Sequence, residues 1–116
     1  MRWFGGFATS TAAPRSPIGS TLLWPTTPGC WTVGSWAGHE VRTTRSAARL
    51  IAVLGTCGIT AAELTRLSTD GVPDDVEWRW PGSYTTVEVT HAATRIWTDL
   101  GCAWPIYTTA TDGGIY

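Results

Sequence analysis

A chain of 116 residues is long enough for one domain with a genuine hydrophobic core, and too short for two large ones. Charge is sparse at 15%, with a net of −1. This excludes the strongly basic arms and tails that bind nucleic acid by charge alone. Every basic residue is Arg, and the chain contains no Lys, Asn or Gln. The three cysteines, Cys30, Cys57 and Cys102, are too few and too scattered for a disulfide framework. They also lack the paired spacing of a zinc site, so no metal is expected. Idle or buried thiols point to a cytoplasmic setting. The apolar patch at the N-terminus is broken by Gly5 and Gly6, and the longest apolar run elsewhere covers only 50–54. Neither a signal peptide nor a membrane span is expected.

In chain order, residues 1–40 hold four Pro, four Trp and six Gly, with no persistent period. They read as an irregular N-terminal extension. Trp24, Trp31 and Trp36 are candidate anchors for a protein partner. From 41 onward the patterning is regular. Ala47, Leu50, Ile51 and Leu54 recur at helical spacing, which predicts a helix over 43–55 closed by Gly55. A buried strand over 49–54 is the competing reading, since a short apolar run is ambiguous by period alone. The polar, alanine-spaced lead-in favours the helix.

A second, short helix is predicted over 61–67. Thr60 and Glu63 form a capping box, and Ile59 staples onto Leu64. Residues 76–80 alternate apolar and charged, which predicts a strand between two turn signals. The longest helix is predicted over 85–101. Val89, Ala92, Ala93, Ile96, Trp97 and Leu100 form one face, Thr85 and Glu88 a capping box, and Gly101 the stop. A strand over 104–109 and a turn at 111–114 complete a C-terminal hairpin.

The order helix, capped helix, longer helix, hairpin over 43–116 resembles the winged helix–turn–helix of DNA-binding regulators. That resemblance implies an α+β fold: a small three-helix core with a C-terminal β-hairpin. The core would hold Leu50, Ile51, Leu54, Leu64, Leu67, Val89, Ile96, Trp97 and Leu100. It also implies that the third helix reads duplex DNA through His91, Thr94 and Arg95. Arg45, Arg49, Thr85 and Thr86 would meet phosphates. Six Arg against eight Asp and Glu over 41–116 leave this segment at −2.

A shorter stretch, 50–67, is similar to the nucleotide-binding stretch of N-acetyl-gamma-glutamyl-phosphate reductases. Gly55 and Gly58 match its glycines and Ala61 takes the third glycine position. This resemblance implies a strand over 49–54, backbone N–H groups around 56–59 facing a pyrophosphate, and a second strand at 76–80. No Ser–His–Asp set, metal cluster or paired carboxylate site is evident. His39 has no second ligand at useful spacing, and Asp74 and Asp75 read as a solvated turn.

The expectation is therefore a non-catalytic, cofactor-free, DNA-binding or regulatory protein, with an extension at 1–40 and a winged-helix-like domain at 41–116. The alternatives are a protein-interaction module using the Trp-rich arm and a fragment of a dinucleotide-binding domain.

Overall fold

A computed structural model describes residues 2–6, 9–10, 18–24, 29–98, 106–107, 110–111 and 114–115. Its elements are β1 (Trp3–Gly6), β2 (Thr9–Ser10), β3 (Thr21–Leu22), β4 (Cys30–Val33), a 3-10 turn (Gly38–Glu40), β5 (Val41–Arg45) and β6 (Leu50–Cys57). There follow α1 (Ala61–Asp70), α2 (Val76–Arg79), β7 (Gly82–Val89), β8 (Thr94–Thr98), β9 (Ala110–Thr111) and β10 (Gly114–Ile115). The chain divides into two compact units, one made of 37–106 and the other of 1–36 with 107–116.

The 37–106 unit is a four-stranded antiparallel sheet in the order β5-β6-β7-β8, with both helices inserted between β6 and β7. Register puts Ile51 opposite Glu88, Val53 opposite Thr86 and Gly55 opposite Tyr84. These residues share the helix-bearing face. Ile51, Val53 and Tyr84 form the core there with Ile59, Leu64, Leu67, Val72 and Val76. On the opposite face Ala52, Leu54, Val87 and Val89 are also buried.

Burial on both faces explains the run Leu50–Leu54. A strand wet on one side alternates, whereas a strand buried on both sides reads as continuous apolar sequence. The helix expected over 43–55 is thus a hairpin of two strands. β5 pairs with β6 from Val41 opposite Leu54 to Arg45 opposite Leu50.

The three-helix core is overturned in two further places. The described part of the helix expected over 85–101, residues 85–98, is the last part of β7, a turn at 90–93, and β8. Thr85, Thr86, Val87 and Val89 lie in β7, and Thr94, Ile96 and Thr98 in β8. Strands favour such β-branched residues, and that preference outweighs the coincidental helical spacing. The strand expected over 76–80 is α2, one helical turn. Of the core expected from sequence, Ile51, Leu54, Leu64, Leu67 and Val89 are buried. Leu50 and Trp97 are half-buried, and Ile96 is 41% exposed. Leu100, Gly101 and Trp104 lie outside the described residues.

The helix expected over 61–67 is present as α1, extended to Asp70. Thr60 Oγ1 accepts from the Glu63 amide at 3.2 Å, and the Glu63 carboxylate accepts from the Thr60 amide at 3.0 Å. Both halves of the capping box are therefore formed. At the other end the Gly71 amide donates to the Leu67 carbonyl at 2.8 Å. Gly71 has a φ of +83°, which any side chain would strain.

In the other unit, β1-β4-β3 form a three-stranded antiparallel sheet, and β2-β10-β9 pair as a second. The 1–40 segment is therefore not irregular throughout. Trp24 and Trp31 are buried at 4% and 0% exposure, with Cys30 beside Trp31 in β4 at 5%. Trp36 is half-buried. Its indole N–H donates to the Val33 carbonyl at 3.1 Å, and the Arg2 guanidinium sits 4.7 Å from its ring centroid. β9 and β10 bracket the turn expected at 111–114, of which 112 and 113 lie outside the described residues.

Candidate functional site

Two loops of the sheet have the same construction. In 46–49, the Ser46 amide donates to the Arg49 carbonyl at 2.9 Å, and Ser46 Oγ accepts from the Ala48 amide at 3.3 Å. In 90–93, the Thr90 amide donates to the Ala93 carbonyl at 2.9 Å. Thr90 Oγ1 accepts from the amides of Ala92 and Ala93 at 3.3 and 3.2 Å. A leading hydroxyl holds each turn by bonding its own backbone, in place of Gly or Asn. Leu50 and Val89 are opposite each other, so the two loops lie at one end of the sheet.

This geometry collects five of the seven residues expected to meet DNA. Arg45 ends β5 and is exposed, and Arg49 closes the first loop. His91 is exposed in the second loop, and Thr94 and Arg95 begin β8. Thr85 and Thr86 stand apart from them. Each is 1% exposed in the middle of the sheet and presents no hydroxyl to solvent.

The charges are not equivalent. Arg49 lies with its Nε 3.5 Å from Glu88 Oε2, and its Nη1 donates to the Thr69 carbonyl at 2.8 Å. It ties the first loop to the end of α1. Arg95 is the cross-strand neighbour of Glu88, but no ion pair within 4.0 Å joins them. Arg45 likewise has no carboxylate partner among the described residues. With Arg49 balanced by Glu88, Arg45 and Arg95 keep free positive charge at the two edges of the sheet end. The edges are three strand spacings apart, about 14 Å. Ala47, Ala48, Ala92 and Ala93 between them are exposed and small. Asp70, exposed at the end of α1, stands between Thr69 and Gly71, both of which lie against Arg49.

Sequence reading missed Glu88, which it placed in a helix cap. Glu88 is 4% exposed and accepts from the Val72 amide at 2.9 Å. A lone carboxylate in the otherwise uncharged stretch 84–90 was the signal, because a buried charge requires a partner.

The glycines of 55–58 are used inside the fold. Gly55 has a φ of +114°, and a Cβ there would run into the Ser83 carbonyl of β7. The Gly58 amide donates to the Pro81 carbonyl at 2.9 Å. β6 also continues through α1 and α2 into an antiparallel neighbour, where the nucleotide-binding resemblance implies a parallel one. Among the described residues no group of three or more His, Cys, Asp or Glu is placed to hold a metal. No helix among them is long and apolar enough to cross a membrane. Cys30 and Cys57 are free thiols. Burial pushes Cys30 up to about 12 and raises Cys57 above its ordinary value, so both are held protonated.

Comparison with protein-family models, with curated proteins and with solved structures gives no match.

Proposed function

We propose that this is a small non-catalytic protein that binds the phosphate backbone of duplex DNA through the sheet end formed by the 46–49 and 90–93 loops. The reading rests on one observation: Arg45 and Arg95 stand exposed on the two edge strands near that end, with no carboxylate partner among the described residues. Guanidinium groups match phosphate oxygens bidentately. Arg45 and Arg95 lie on edge strands about 14 Å apart, and the register sets them on opposite faces of the sheet, so each would meet a phosphate of its own. The alanines between them let a backbone approach closely. His91 and Thr94 supply further hydrogen-bonding groups.

Neither loop carries Phe, Tyr or Trp, which favours a duplex over a single strand, where bases stack on aromatic platforms. The chain has no Asn or Gln to read adenine, so binding is expected to be weakly dependent on sequence. The protonated free thiols suit a cytoplasmic setting.

Fluorescence anisotropy of a labelled duplex at low salt tests the reading. Saturable binding that is weakened about tenfold in the R45A/R95A double variant supports it. Taking away a guanidinium that meets a phosphate lowers affinity roughly independently of sequence. Absence of binding, or binding unchanged in the double variant, overturns it.

Trp24 and Trp31 are buried, so the use of these two as partner anchors has no support from their exposure.

A further inference from the structure

A cleft of about 330 Å³ opens between α1 and α2. It lies within the size range of small-molecule sites. Its floor is apolar: Leu67, Val72, Pro73 and the Trp80 ring. Leu67 and Val72 are buried, and Trp80 is half-buried. The Trp80 indole is fixed by donating to Glu63 Oε2 at 2.9 Å.

The rim carries Arg66 and Asp70, both exposed. They are four residues apart on α1, the spacing at which opposite charges can meet on a helix face. No ion pair within 4.0 Å joins them, and neither forms one with another described residue, though the charge of Arg66 helps hold the Glu63 carboxyl down. With the cation N-terminal to the anion, the pair has the less favourable orientation on a helix. By contrast Glu63 is engaged with Trp80 and Thr60, and Arg79 with Asp75 at 2.9 Å. The cleft therefore offers one cation and one anion outside any close ion pair, and an apolar floor.

We infer that this cleft binds a small zwitterion with an apolar body, of the class of free aliphatic α-amino acids. Arg66 takes the carboxylate, Asp70 takes the ammonium, and the aliphatic body lies on Val72, Pro73 and Trp80. The cleft adjoins the sheet end at Asp70 and Gly71, next to Arg49, but the inference does not depend on the DNA reading.

The test is a heteronuclear NMR titration of the 15N-labelled full chain with L-leucine to about 10 mM, which covers millimolar affinity. The controls are 4-methylpentanoate, which lacks the amine, and 3-methylbutylamine, which lacks the carboxylate. Saturable shifts are expected at the amides of Gly71 and Val72 and at the Trp80 indole N–H, the last assigned with Trp80→Phe. Each control should bind at least ~10-fold more weakly, as should Arg66→Ala and Asp70→Ala. Both substitutions are at exposed positions, and the spectrum itself reports that the fold is kept. The absence of shifts, equal shifts from all three probes, or undiminished binding by Arg66→Ala would each overturn the inference.

Discussion

The Nε of Arg49 lies 3.5 Å from Oε2 of Glu88, and the pair joins the 46–49 loop to the end of α1 and to the 71–73 link. Glu88 also accepts from the Val72 amide, Arg49 donates to the Thr69 carbonyl, and Ser46 Oγ donates to the Ser68 carbonyl at 2.9 Å. The carboxylate side chain is only 6% exposed. Removing its cation leaves a buried charge with one amide for a partner. Arg49→Ala is therefore expected to destabilise the fold by about 3 kcal/mol, read as a lower urea midpoint. Arg45→Ala, at an exposed strand end, should shift stability by no more than about 0.5 kcal/mol. Equal stability losses for the two would mean that Arg49 is not the tie described.

The Tyr84 hydroxyl lies 2.7 Å from the Trp80 carbonyl and 3.1 Å from the Val76 carbonyl. It donates to the end of α2, a single turn too short to hold itself. Tyr84→Phe keeps the ring in the core and removes the donor. The expected cost is about 1–2 kcal/mol. Hydrogen exchange should quicken at the Trp80 amide, which donates to the Val76 carbonyl. Unchanged exchange there would show that α2 is held by other interactions.

Thr85 and Thr86 are each 1% exposed, and neither hydroxyl has a hydrogen-bond partner among the described residues. Valine has nearly the same shape and an equal preference for strands. Thr86→Val should therefore raise stability by about 1 kcal/mol, because it removes an unsatisfied buried hydroxyl. Thr85→Val should do the same. A loss of stability in either would mean that the hydroxyl is satisfied in solution.

The Glu63 carboxyl is held below its ordinary 4.5, first by the Trp80 indole N–H and then by the amide and hydroxyl of Thr60. A group with a depressed folded-state value stabilises the fold above its unfolded value. That stabilisation is lost as pH falls through the folded value. Stability should decline below about pH 4.5 as Glu63 protonates. The Trp80 indole resonance should move over the same range. In Glu63→Gln that component of the pH dependence should disappear. A Trp80 resonance that titrates identically in the variant would assign it to another group.

Legibility in the sequence depended on where each signal came from. The α1 cap was readable because Thr60, Glu63 and Ile59 act on neighbours within one turn. The sheet was not, because its two loops lack the usual turn residues. Ser46 and Thr90 hold loops of Ala, Arg and His, and the alanines at 47, 92 and 93 fall at helical spacing with their neighbours. Leu50–Leu54 lost its alternation through burial on both faces, which a local pattern cannot reveal. The β-branched run at 85–89 was the available warning. Arg45, Arg49, His91, Thr94 and Arg95 were chosen for a helical surface and are instead gathered at one sheet end by register. The balance of Arg49 by Glu88 is a tertiary pairing, visible only once β6 and β7 are adjacent.

The proposal that free guanidinium groups at the sheet end bind DNA phosphates is tested most directly by salt dependence. The measurement is the slope of log affinity against log salt for a labelled duplex, in the unaltered chain and in R45A/R95A. With two fewer phosphates neutralised, the slope should become shallower by about 2. An identical slope in the two proteins, or no measurable affinity at low salt, would contradict the assignment.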